Sequence, residues 1–426
     1  MQNLWHPLLT PFLIMMTLGI ALNFIGQKIP FLNKLGLGFI LCIIVPSYLV
    51  REGYIHYWIA EYFDKMFFNK PALRDQGIGI NFSQFFITIV IAGSICSVEG
   101  SLLKRSIKKF IPLTLIAIGS SILITGCLGY LLNYRCPSIF SHKSRGSFFD
   151  SIFFVAVPLT NGGTNLGING FANSLYYDYF RRDASLIRTA IIAPLILARV
   201  LSIFFAGLLT VSLDKTEFSG RGNLEKNSYG SRRSGSDDKM ANIQSIGSGM
   251  LIVFAFYSIG NMLNTYIVEN AGVKFKLDAM VYVIAILLII KIFNILPEEE
   301  QIHVGKAGNF MTKIFTAPVL AGLGLTTNFN ELMNCIIDKN ILLMVIMSFS
   351  TVILITFCLS KIFNFYPLEA ALTAGICSHS IGGTGNIGVM SISNRINLLP
   401  FAMIATRIVG PIIFALATFS FGLIYK

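Results

Sequence analysis

The sequence predicts an all-α polytopic membrane protein made of two inverted repeats. Each repeat carries a re-entrant glycine-rich hairpin, with about 11–13 membrane helical elements in all. Three observations predict this. Hydrophobic residues make up 54% of the 426 residues and charged residues only 13%, where a soluble domain carries about 25% charge. Mean hydropathy is +0.69. Two nearly matching polar glycine clusters interrupt apolar sequence, one in each half: Asn161-Gly162-Gly163-Thr164-Asn165-Leu166-Gly167 and Gly382-Gly383-Thr384-Gly385-Asn386-Ile387-Gly388. Non-helical backbone survives at membrane depth only where protein buries it or a watery cavity meets it.

Apolar segments fall in order at 8–26, 36–50, 83–98, 111–133, 150–176, 186–212, 246–268, 278–296, 315–326, 340–362, 367–392 and 398–424. The 8–26 run lacks a basic leader and a small-residue cleavage site, so it reads as a retained span. Semi-polar stretches at 53–75 and 298–313 read as interfacial amphipathic helices. The polar break Leu213 to Gln244 carries Arg221, Lys226, Arg232, Arg233 and Lys239 among Gly, Ser and Asp. It reads as a flexible linker, placed in the cytoplasm by its basic residues. The organisation is therefore an extra span over 1–30, a first repeat over 31–212, a cytoplasmic linker over 213–245 and a second repeat over 246–426.

The halves correspond beyond the glycine clusters. Ala92-Gly93-Ser94-Ile95-Cys96-Ser97 matches Ala321-Gly322-Leu323-Gly324-Leu325-Thr326, and Leu197-Ala198-Arg199-Val200 matches Ala405-Thr406-Arg407-Ile408. An odd number of crossings per repeat makes the copies inverted. Counting each glycine segment as a hairpin that does not cross leaves five crossings in the first half, one of them the uncertain stretch near 53–75.

Matched broken segments in two halves of a membrane protein point to a transport site. Glycines permit φ > 0 and close backbone approach, and the N–H groups of such a turn favour an anion. Freed carbonyls with the hydroxyls of Ser380 and Thr384 suit Na⁺. The alternative is a glycine-rich packing seam, less apt for two matched clusters than for one. Arg407 lies deep in the final span, where a cation costs about 3 kcal/mol. Its anion is either a substrate carboxylate held by a bidentate fork, or hairpin carbonyls or Glu369. Arg199 either braces helix-end carbonyls, the reading preferred from sequence, or touches substrate. His379 is either a proton carrier or substrate ligand, or a hydrogen-bonded structural residue. Asn165 and Asn386 either bind substrate oxygens or cap half-helices.

Other classes find little support. The net charge of +12 sits in loops, which suits anionic lipid and a cytoplasmic face rather than nucleic acid. The seven cysteines include no CxxC, and an odd count argues against a disulfide framework. Hydrolase, P-loop and metalloprotease signatures are absent, so no enzyme and no cofactor are expected; an intramembrane enzyme has only His379 and Glu369 to draw on.

The stretch Ser380 to Asn386, with Ser391-Ile392-Ser393-Asn394-Arg395-Ile396-Asn397-Leu398-Leu399-Pro400-Phe401-Ala402 and Ala405-Thr406-Arg407-Ile408, resembles the 2-hydroxycarboxylate transporter family of bacterial sodium–citrate and sodium–malate symporters. Pro158 to Tyr176 resembles the family's other hairpin more loosely. The resemblance implies a multi-pass protein of the bacterial inner membrane, a homodimer and elevator-type alternating access. It implies uptake of a small carboxylate such as malate, lactate or citrate, coupled to Na⁺ or H⁺. It implies substrate contacts from Arg407, Thr384, Gly162 and Gly163; Gly383 of the same turn is a further candidate, beside Asn165 and His379 weighed above. It also implies Na⁺ ligands from Ser380, Thr384 and Thr406, with Asn386 beside them. Citrate-carrying members place a second arginine directly before the GG pair, where this chain has Ile381, and an aspartate where it has Asn386. A glutamate–sodium symporter plan is similar.

Overall fold

The computed structural model describes residues 6, 9–29, 37–67, 82–97, 100–136, 144–160, 184–226, 243–270, 279–380 and 382–425. Among these residues every regular element is helical. In chain order they are α1 (Leu9–Gln27), α2 (Leu37–Arg51), α3 (Tyr57–Phe67), α4 (Phe82–Ser97) and α5 (Gly100–Leu131). Then come α6 (Ser147–Thr160), α7 (Ala184–Leu213), α8 (Ile243–Asn270), α9 (Ala279–Ile292), α10 (Glu298–Leu325), α11 (Phe329–Ile337) and α12 (Lys339–Leu359). The broken helix α13 spans 367–379, followed by α14 (Gly383–Ile392) and α15 (Ile396–Tyr425). Among the described residues six helices are long and apolar enough to cross a membrane, within α1, α5, α7, α8, α12 and α15. Four shorter apolar helices accompany them, within α2, α4, α6 and α9. The chain is thus a polytopic membrane protein, all-helical among the described residues. The first glycine cluster, with Gly162, Gly163 and Asn165, lies outside the described residues, as does Ile381.

Helix α10 is the hub of one group, packing against α1, α2, α4 and α8. The expectation of an interfacial helix over 298–313 fails here. That stretch is continuous with the apolar residues that follow, in one 28-residue helix. The reason is a stripe of small and apolar residues, Val304, Gly305, Ala307, Gly308 and Met311, that buries against neighbouring helices. At the α4 crossing a Cβ on Gly93 would lie 2.6 Å from Gly308 Cα. Only paired glycines let the two backbones approach so closely. Glu298, Glu299 and Glu300 occupy the first turn, where acids complement the helix dipole.

A second group gathers α5, α12 and the hairpin α13–α14, with α7 and α15 alongside. Asp338 starts α12 by accepting from the backbone N–H groups of Asn340 and Ile341, a standard N-cap. The linker reading needs correction over its first part. Residues 214–226 are not loose but dock on this group through two fully buried carboxylates. Glu225 accepts from Arg105 and from Ser106 Oγ (2.9 Å), with Lys109 Nζ at 3.9 Å. Glu369, at the base of α13, accepts from the N–H groups of Gly220 (2.8 Å) and Gly222 (3.1 Å) and from Arg395 Nε (2.8 Å). Arg395 also reaches Asp214 (2.6 Å), Ser219 Oγ (2.9 Å) and the Ser393 carbonyl (2.7 Å). Main-chain bonds from Tyr366 to Leu224 and from Leu368 to Phe218 complete the strap.

Candidate functional site

The second glycine cluster is the tip of a buried helical hairpin. Pro367 occupies the first turn of α13, where its missing N–H leaves no bond unmade. The limb then changes pitch. An α turn (Pro367–Ala370) passes into a π segment (Ala371–Gly375) and a 3₁₀ turn (Ile376–His379). Such changes of pitch concentrate at functional positions. Gly382 has φ +84° and ψ −159°, a conformation essentially confined to glycine. A Cβ on Gly385 would collide with the Ser380 carbonyl, so the turn closes only with glycine there. Gly383 faces the Ile87 side chain of α4 at 2.8 Å from its ideal Cβ. The first N–H groups of α14 have no helical acceptor and suit an anion at the turn.

Three of the sequence-predicted ion residues come together. Asn386 receives a short hydrogen bond from Ser380 Oγ at its Oδ1. Its Nδ2 donates to the Ala402 carbonyl (2.9 Å) and Thr406 Oγ1 (3.1 Å). All three side chains are fully buried. The cluster gathers three side-chain oxygens and the Ala402 carbonyl, but the amide N–H₂ stands among them as donor, and among the described residues no carboxylate is bonded to them. Thr384, in the first turn of α14, is buried yet forms no hydrogen bond with this cluster.

His379 sits in the wall behind the turn. Ser378 donates its hydroxyl proton to the Gly375 carbonyl (2.6 Å), so it accepts from His379 Nδ1 (2.8 Å). Nε2 then accepts from Ser348 Oγ (2.9 Å), itself paired with Ser121 Oγ (2.7 Å). Both ring nitrogens are thereby engaged by hydroxyls of α5, α12 and the hairpin itself. Sequence reasoning missed Ser121 and Ser348, because a serine inside an apolar span gives no local signal of its partner.

Arg407 is buried in the π segment Ala405–Val409 of α15, directly after Thr406. That segment packs against Ile376–His379 and against α5. Glu369, weighed as its counter-ion, belongs instead to Arg395. Arg199 is buried in α7, which packs against the last turn of α6, the 3₁₀ turn of α13 and α14. Among the described residues no hydrogen-bond acceptor meets the buried Arg199 Nε. A separate polar cavity of about 640 Å³ lies between α1, α2 and α10, lined among others by Asn23, Gln27, Thr312, Lys313 and Asn394. It meets α14 only at Met390–Ile392, the end away from the glycine turn.

A model of the 2-hydroxycarboxylate transporter family matches residues 1–419. The chain belongs to that family. It is 28% identical over 407 residues to the Na(+)-malate symporter of Bacillus subtilis, covering 94% of this chain and 83% of that one. It is 26% identical over 401 residues to the citrate transporter of Lactococcus lactis subsp. lactis, covering 94% and 84%. It is 24% identical over 419 residues to the citrate/sodium symporter of Salmonella typhimurium, covering 97% and 87%. The family and these relatives are transporters, which sets aside the intramembrane enzyme. The chain is a secondary transporter of the 2-hydroxycarboxylate class, and the glycine hairpin beside Arg407 is its candidate site.

Proposed function

We propose that this chain carries a small 2-hydroxy-mono- or dicarboxylate such as malate, lactate or citrate across the bacterial inner membrane, coupled to Na⁺ or H⁺. The observation that carries the reading is the buried turn of α13–α14 packed against the π segment that bears Arg407. A carboxylate matches the planar fork of that buried guanidinium. Arg407, Gly383 and Thr384 then contact substrate from this hairpin, with Gly162, Gly163 and Asn165 from the other turn. His379 stiffens the wall, since both its nitrogens are engaged. Relatives named as sodium symporters favour Na⁺ as the coupling ion, with Ser380, Thr406, Asn386 and Thr384 as its oxygens.

Two inverted repeats with re-entrant hairpins, elevator-type alternating access, a homodimer and a cytoplasmic linker complete the proposal. The repeat finds support in pitch as well as sequence. A π segment starts at 152 in α6 and at 371 in α13, an offset of 219 that agrees with the spacing of the glycine clusters.

The test is uptake of labelled malate into proteoliposomes under an inward Na⁺ gradient, a proton gradient, or neither. Saturable uptake driven by one gradient is expected. Arg407→Lys should lower uptake at least about tenfold while insertion and monodispersity persist, because a point charge does not reproduce the fork. Normal kinetics in the lysine variant would remove Arg407 from the site.

A further inference from the structure

Three carboxylates are buried among the described residues, Asp150, Glu225 and Glu369. Each has partners on the protein. Asp150 accepts from Tyr425 Oη (2.7 Å) and Ser144 Oγ. Glu225 takes Arg105 and Ser106, and Glu369 takes Arg395 and two backbone N–H groups. Among the described residues no buried acid is left over for Arg199. Its relative exposure is 7%, and its Nε is buried without a hydrogen-bond partner. A buried cation is strongly unfavourable without a counter-ion or acceptor, and among the described residues none meets the Arg199 Nε.

The place of Arg199 says which anion. Ile203, one turn further along α7, covers Gly388 of α14 at 3.5 Å from its ideal Cβ. Residues four apart share a helix face, so Arg199 lies on the face of α7 turned toward α14. A long helical side chain leans toward its helix N-terminus, which carries the guanidinium one turn beyond the Ile203 contact. Helix α7 packs against Ile376–His379, and the Arg407 segment packs against the same turn. Two buried guanidinium-bearing segments therefore flank one hairpin.

We propose that Arg199 binds the second carboxylate of a dicarboxylate substrate whose first carboxylate lies at Arg407. This rests on the reading of the chain as a 2-hydroxycarboxylate carrier and adds a specificity residue to it. With two cations, the site favours a four-carbon hydroxydicarboxylate over a hydroxymonocarboxylate.

Purified protein in detergent is titrated with malate and with lactate, and affinities are read from ligand-induced shifts in melting temperature. The parent should bind malate about ten- to a hundredfold tighter than lactate, the effect of one charge-assisted contact. In Arg199→Met, malate affinity should fall to that of lactate, while lactate changes by less than about threefold. The ligand-free Met variant should melt at or above the parent, because an uncompensated buried charge has been removed. Equal weakening of both acids, or a lower ligand-free melting temperature with malate preference kept, would overturn the assignment and make Arg199 a structural brace. Arg199→Lys guards against a misfolded Met variant: weaker malate with unchanged lactate supports the proposal, and two unchanged affinities overturn it. A parent that binds neither acid overturns the hydroxycarboxylate reading itself, and the assignment of Arg199 with it.

Discussion

Removing the Glu369 carboxylate should unfold the protein far more readily than removing any exposed acid of the same network. Glu369 is fully buried. It holds three donors: the N–H groups of Gly220 and Gly222 and the Arg395 guanidinium. In Glu369→Ala, Arg395 loses its buried partner, and breaking such a pair costs about 3–5 kcal/mol. Each orphaned buried N–H adds about 1–3 kcal/mol. These terms do not add fully. Asp214 and the Ser393 carbonyl still hold the guanidinium, so a loss of about 4–6 kcal/mol is expected, near the top of the range for a single substitution. Glu369→Gln keeps the shape and one acceptor oxygen but turns an N–H₂ toward a donor, for about 2–4 kcal/mol. Asp214→Asn touches a carboxylate that is half exposed and should cost less than about 1 kcal/mol.

The assay is thermal unfolding of the three purified variants in one detergent. The expected order of destabilisation is Glu369→Ala, then Glu369→Gln, then Asp214→Asn. Pairing Glu369→Leu with Arg395→Met should recover part of the loss, since an apolar pair leaves no buried charge. An unchanged melting temperature in Glu369→Ala, or equal losses for Glu369→Ala and Asp214→Asn, would refute the strap as described.

Two further predictions concern the turn. Gly385→Ala should abolish uptake with little loss of inserted protein, because the added methyl meets the Ser380 carbonyl and opens the tip rather than the base; wild-type uptake would show that the turn tolerates a side chain. Asn386→Asp should make binding depend more steeply on Na⁺, because a carboxylate removes the two N–H donors now directed at the Ala402 carbonyl and Thr406 and adds a charge. Malate titrations at several Na⁺ concentrations measure this, and an unchanged Na⁺ dependence would take Asn386 out of the ion site.

Much of this molecule is legible in the chain because the lipid environment leaves few options. Long apolar runs became α1, α5, α7, α8, α12 and α15, and within the glycine cluster at 382–388 the chain breaks at Gly382, at positive φ, before Gly383 onward re-enters helix as α14. Ser380, Asn386 and Thr406 met as their motif suggests. What stayed hidden depends on contacts between distant residues. The stretch 298–313 is polar enough to read as interfacial, but its buried face is settled by glycine-to-glycine contact with α4. The stretch 214–226 has linker composition, yet its partners are Arg105, Glu369 and Arg395, more than 100 residues away in each case. Composition reports what a segment is made of, and docking depends on what faces it.

The two anchors of the second hairpin differ in kind, and that difference bears on how it can work. Its base is tied by Glu369 and Arg395 to the strap, and Glu225 ties the strap on to α5. Parting the base from α5 would strip buried carboxylates of their cations, a change of several kcal/mol. The tip is held by neutral hydrogen bonds among Ser380, Asn386 and Thr406, each with a net value of about 1 kcal/mol. A carboxylate or a cation arriving at the tip brings charge-assisted bonds of about twice that strength. Ligands can therefore rearrange the tip without disturbing the base. On this reasoning the hairpin responds at Gly382–Asn386, while α13, the strap and α5 stay together as one packed body.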